Sequence, residues 1–111
     1  MTPAGRGILI EPRRIAFRRI AEAAVQRADA IVPRWLPDGK REGTEWVALN
    51  PTRGDSRKGS FKVNLKSGKW SDFATGDRGG DLISLAAYIY RLDQGEAAKR
   101  IADMLGIDAY E

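Results

Sequence analysis

Neither cysteine nor histidine occurs among the 111 residues of this chain, and that absence removes the staples on which many small domains depend. Without thiols there is no disulfide framework, and without thiolate or imidazole there is no structural zinc site of the usual kind. A chain of this length lies near the size at which one hydrophobic core suffices, so its fold must stand on side-chain packing. The same absence narrows the chemistry. No imidazole can serve as a base near neutral pH and no thiolate as a nucleophile. Function is expected from surface charge and shape, with no catalytic residue and no cofactor.

Composition sets the broad class. A hydrophobic content of 42% beside 31% charged residues is that of an ordinary globular protein. No apolar run reaches the length of a membrane span, and the N-terminus lacks the apolar core of a signal peptide. The expectation is a cytoplasmic protein with no membrane partner. The net charge of +4 is unevenly spread: the excess of Lys and Arg sits before residue 81, and carboxylates outnumber cations from Asp81 onward. Between Arg53 and Lys69 there are six basic residues and one acidic. Such a stretch is either a solvated loop and hairpin or a face turned to a polyanion.

Hydrophobic periodicity orders the chain. Residues 1–10, punctuated by Gly and Pro, read as a flexible arm ahead of a single domain over 11–111. Pro12 suits a first helical turn, and Phe17, Ile20, Ala24, Ala28 and Ile31 recur at spacings of three and four. This predicts one helix over 11–36, ended by Pro33 and Pro37. A sheet is predicted over 44–73. Glu45–Leu49 is rich in Trp and Val, Phe61, Val63 and Leu65 alternate with Lys62 and Asn64, and Lys69–Phe73 returns after a Ser67-Gly68 turn. That hairpin is expected to set Leu65 opposite Trp70. A helical pair is predicted over 81–106. Asp81 and Asp93 are its N-caps, Ala97, Ile101, Met104 and Leu105 its second buried face, and Gly106 its stop.

Taken in order, the helix, strand, basic loop, hairpin, Gly79-Gly80-Asp81 and two helices resemble the N-terminal zinc-ribbon (CHC2-type) domain of DnaG-like DNA primases and of phage and plasmid primase-helicases. The resemblance runs from about Ala30 to Gly106. Where the family carries a Cys-Pro-x-His motif, this chain has Asn50-Pro51-Thr52-Arg53. The family's Lys-Thr-Pro-Ser-Phe element is matched by Arg57-Lys58-Gly59-Ser60-Phe61. Its Cys-x-x-Cys-Gly is matched by Asp72-Phe73-Ala74-Thr75-Gly76. The resemblance therefore places Asn50, Arg53, Asp72 and Thr75 at the four zinc-ligand positions and implies a degenerate, metal-free ribbon. It also implies contact with single-stranded template DNA, in replication of a phage, plasmid or integrated element, with a helicase or a primase catalytic subunit as protein partner.

Each candidate residue has a structural alternative. Arg53, Arg57 and Lys58 suit phosphate contacts, but Arg53 and Asp72 facing each other would form an ion pair in place of the metal. Phe61, Trp70 and Phe73 offer faces for base stacking. Phe61 and Phe73 are expected in the core, whereas Trp70, beside Lys69 at a hairpin end, is open to either role. Gly79-Gly80 ahead of a helix suggests an anion site, yet Asp81 is placed to satisfy those amides itself. Asp72, Asp77 and Asp81 suit Mg²⁺, or caps and turns.

These readings converge on an α+β domain with a long N-terminal helix, an antiparallel sheet of about three strands and two C-terminal helices. The expected function is a non-catalytic DNA-binding module using Arg53, Arg57, Lys58, Lys62, Lys66, Lys69, Trp70 and Arg78. The alternative is a protein-interaction adaptor docking on a replication protein or helicase, using the acidic C-terminal helices with Tyr88, Tyr90 and Tyr110 as contacts.

Overall fold

The computed structural model describes residues 13–54 and 59–111. The expected N-terminal arm, the helix start at Glu11 and Pro12, and the loop cations Arg57 and Lys58 lie outside the described residues.

The apolar stripe from Phe17 to Ile31 forms two helices rather than the single one expected, α1 (Phe17–Val25) and α2 (Ala28–Trp35). The start is later than expected because the backbone before it is committed elsewhere. Ile15 pairs with Tyr110, and the Ala16 amide donates to the Ala109 carbonyl at 2.8 Å. The break in the middle falls at Arg27 (φ −117°, ψ 21°), with neither Gly nor Pro beside it. No local breaker accounts for it, and the two helices are held at separate places. α1 packs on both C-terminal helices. The end of α2 is held by Trp46, whose Nε1 donates to the Leu36 carbonyl at 2.9 Å, and by Trp35 against Tyr90. Pro33 lies inside α2 instead of ending it. It is the sixth of eight residues, so its missing N–H forfeits one intrahelical bond and the helix ends two residues later, ahead of Pro37.

Five strands follow among the described residues, in place of the expected three: β1 (Lys40–Glu42), β2 (Glu45–Ala48), β3 (Phe61–Asn64), β4 (Trp70–Asp72) and β5 (Arg78–Gly79). They form one antiparallel meander in the order β1-β2-β3-β4-β5. The two additional strands, which extend the sheet to residues 40–79, carry no alternation to read. β1 is Lys-Arg-Glu, exposed throughout, and β5 is two residues long. Pairing with a neighbour, rather than side-chain pattern, makes them strands.

In β3, Phe61 and Val63 face the core while Lys62 and Asn64 face outward. The β3–β4 register differs from expectation by two residues: Trp70 lies opposite Val63, not Leu65. Asn64 is the reason. Its Oδ1 accepts from the amides of Lys66 and Ser67, both at 2.9 Å, and Gly68 at φ 80° closes a loop over residues 65–68. A slip of two preserves the faces, so Leu65 and Trp70 are both buried.

The chain closes on α3 (Leu82–Tyr90) and α4 (Gln94–Leu105). Asp81 and Ser84 form a capping box on α3, Asp93 caps α4, and Gly106 at φ 71° ends it. The helices cover the inner sheet face, where Ile20, Val32, Phe61, Val63, Leu82 and Leu85 are all fully buried. Met104, expected in that core, is instead 45% exposed. No helix among the described residues is long and apolar enough to cross a membrane.

Candidate nucleic-acid interface

Alternation along β4 sets the site. Trp70 and Asp72 point inward and Ser71 outward, so Phe73 emerges on the solvent side. Phe73 is 74% exposed, which corrects its expected place in the core. The misreading has a specific origin: a carboxylate, not an apolar side chain, takes the inward position at 72. The ammonium of Lys62 lies 5.9 Å from the centre of the Phe73 ring.

Trp70 is the converse correction. It is 5% exposed, its Nε1 donates to Ser84 Oγ at 2.9 Å, and its ring packs on Tyr88 with centroids 4.6 Å apart. Gly79 makes this possible, because a Cβ there would collide with Ser84 Oγ and with Trp70 Nε1. A close approach, and not a positive φ, is what requires this glycine. Trp70 therefore belongs to the core and offers no free face for stacking.

On the outer face, one row of paired residues crosses the whole sheet: Lys40, Val47, Lys62, Ser71 and Arg78, of which Val47 is itself buried. Its cations fall on the first, third and fifth strands. Strands lie about 4.8 Å apart, so successive cations stand roughly 10 Å apart at the backbone. Lys69 projects beside this row, and Lys62, Lys69 and Arg78 line one shallow groove together with Asn64, Ser67 and Ser71. Glu45 is the carboxylate in that lining, and the edge of Trp70 reaches it. Lys66 is exposed at the turn and does not line the groove. Lys40 was missing from the sequence-based candidates, and Phe73, weighed for stacking, was assigned to the core. The first needed β1 to be recognised, and the second needed the inward Asp72.

Arg53 points elsewhere. Its Nε lies 3.6 Å from Asp72 Oδ2, and its side chain is only 34% exposed, so it is an ion-pair partner and not part of the groove. Asp72 is fully buried at the centre of a polar cluster. Oδ2 accepts from Asn50 Nδ2 at 2.7 Å, and Oδ1 from the Ala74 amide at 2.8 Å. Burial pushes the Asp72 carboxyl up. The hydrogen bonds from Asn50, Ala74 and Ser60, with the Arg53 guanidinium, outweigh that and hold it below the usual carboxylate range. Asn50, 1% exposed, accepts from the Thr52 amide and hydroxyl at 2.9 and 2.7 Å and donates a second time to Tyr88 Oη at 2.8 Å. Tyr88 Oη in turn donates to Asp77 Oδ2 at 2.8 Å. Thr75 stays at the exposed turn, its Oγ1 accepting from the Asp77 amide at 3.1 Å.

The remaining candidates resolve locally. Asp81 Oδ1 accepts from the Ser84 amide at 2.8 Å, which occupies the helix end considered for phosphate. Among the described residues, no group of three or more Asp or Glu stands placed to hold a metal ion. No model of a known protein family matches the chain, and no curated protein matches it significantly.

Proposed function

We propose that this chain is a non-catalytic, metal-free DNA-binding module of the primase type, contacting single-stranded DNA across the solvent face of its sheet. The observation that carries this reading is the groove in which Lys62, Lys69 and Arg78 meet, with an exposed aromatic ring, Phe73, beside Lys62. Cations along a groove hold a phosphate backbone, and an exposed ring stacks on an unpaired base. A duplex has its bases already stacked and gains nothing from Phe73, so the unpaired strand is the preferred ligand.

The primase resemblance draws support from the polar cluster. Asn50, Arg53 and Asp72 stand where that family has zinc ligands, and in this fold the three meet through direct polar contacts. Hydrogen bonds and an ion pair then join the loop after β2 to the end of β4, where the metal would have done so. A replicative role in a phage, plasmid or integrated element follows from the resemblance, as does a helicase or primase catalytic subunit as partner. Of the tyrosines considered for the adaptor reading, Tyr88 is engaged with Asn50 and Asp77, and Tyr110 pairs with Ile15. Tyr90 alone of the three stands exposed.

The test is a titration with single-stranded and double-stranded DNA at two salt concentrations. Single strands should bind more tightly, with a log–log salt slope of about −0.7 for each phosphate neutralised. Absence of binding, or equal affinity for the two forms, would refute the proposal.

A further inference from the structure

The helical layer holds a second surface that shares no residue with the groove on the sheet. The ends of α2, α3 and α4 leave two adjoining depressions of about 170 and 330 Å³, both lined by Trp35, Tyr90 and Met104. Trp35 and Tyr90 meet edge to face, centroids 6.2 Å apart at 88°, and form the floor. Tyr90 and Met104 are 50% and 45% exposed, an unusual position for large apolar side chains at the end of helices whose other faces fill the core. Every charged residue in the lining is an arginine. Arg27 and Arg34 border one depression and Arg100 the other, and no carboxylate lines either. Arg100 is paired with Glu96 at 3.0 Å, whereas Arg27 and Arg34 make no ion pair among the described residues.

We propose that this groove docks an acidic segment of a partner protein, one that presents large apolar side chains between carboxylates. Charge selects the occupant. The apolar floor accounts for an anchoring side chain, which a nucleic-acid backbone lacks. The cationic rim accounts for flanking carboxylates. A second copy of this chain in a two-fold contact would set the same arginines against each other. Trp, Tyr and Arg are also the residue types that dominate binding energy at protein interfaces, and an amphipathic helix laid in a groove reaches such a floor with anchors three and four residues apart.

The experiment uses fluorescence anisotropy with a labelled helical peptide in which Leu and Phe recur at every third or fourth position among Glu and Asp. Two control peptides replace either the acids by Lys or the anchors by Ala. The acidic apolar peptide should bind and each control should bind at least tenfold more weakly. Tyr90→Ala should weaken the complex roughly thirtyfold, the effect of losing one interface anchor. Arg27→Glu with Arg34→Glu should weaken it and flatten its salt dependence, and both changes should leave DNA affinity intact. All these side chains are exposed or half-exposed, and thermal melting checks that the variants fold. Equal binding of the acidic and basic peptides, no binding of the acidic one, or parental affinity in both variants would overturn the proposal. So would concentration-dependent self-association abolished by Met104→Lys, because the occupant would then be a second copy.

Discussion

Asn50 and Asp72, twenty-two residues apart in the chain, are joined by a 2.7 Å hydrogen bond in the interior, and both side chains are almost fully buried. The bond ties the end of β2 to the end of β4 across β3, which lies between them in the sheet. A buried carboxylate is tolerated only when its acceptor sites are filled. Here Asn50, Ala74 and Ser60 fill them, and Arg53 supplies the opposite charge.

Removing the acceptor should therefore cost more than removing the cation. Asp72→Ala deprives the buried Asn50 amide, and the Ala74 and Ser60 donors, of their partner and should destabilise the fold by roughly 1.5–3 kcal/mol. Arg53→Ala removes a partly exposed ion pair worth about 0–1 kcal/mol. Urea denaturation of the two variants measures both, and equal losses would mean that the ion pair carries the cluster.

The same carboxylate makes stability depend on pH. Its pKa is lower in the folded state than in the unfolded chain. Its contribution is thus fully present above the unfolded value of about 4 and is lost as pH falls through the folded value. Denaturation midpoints should drop on acidification below about pH 4. Asp72→Asn should be less stable at neutral pH and should show a shallower acid limb.

Purified protein should carry no stoichiometric zinc. Asn50, Asp72 and Arg53 already satisfy one another, and a guanidinium beside the site repels a cation. Elemental analysis and melting with and without a chelator check this. One zinc per chain, or unfolding by the chelator, would contradict it.

Phe73 and Trp70 should separate binding from folding. Phe73→Ala removes an exposed ring and should lower single-strand affinity by roughly 1–3 kcal/mol, nearly independent of salt, with stability unchanged. Trp70→Ala empties a core site and should cost about 3–5 kcal/mol of stability. Replacing Lys62, Lys69 and Arg78 together by Gln should reduce the salt slope by about two, whereas Lys66→Gln, outside the groove, should change it little. If Lys66→Gln has as large an effect as the triple replacement, the groove is not where the strand lies.

Local chemistry sufficed wherever one short segment decides the outcome by itself. Asp81 and Asp93 are legible as N-caps because each depends on an amide three residues on, and Gly106 as a stop because its amide reaches carbonyls three and four residues back. The alternation of Phe61, Lys62, Val63 and Asn64 is legible because a strand's faces follow from its own period. Tertiary structure decided what no segment contains. β1 and β5 are strands only because β2 and β4 offer them hydrogen-bonding edges. The break at Arg27 carries no local signal, since neither Gly nor Pro stands beside it. The positions of Trp70 and Phe73 turn on Asp72 pointing inward, which is affordable only because Asn50, distant in sequence, meets it there. A buried polar residue reads as a surface residue until its partner is known, and that partner is supplied by the fold.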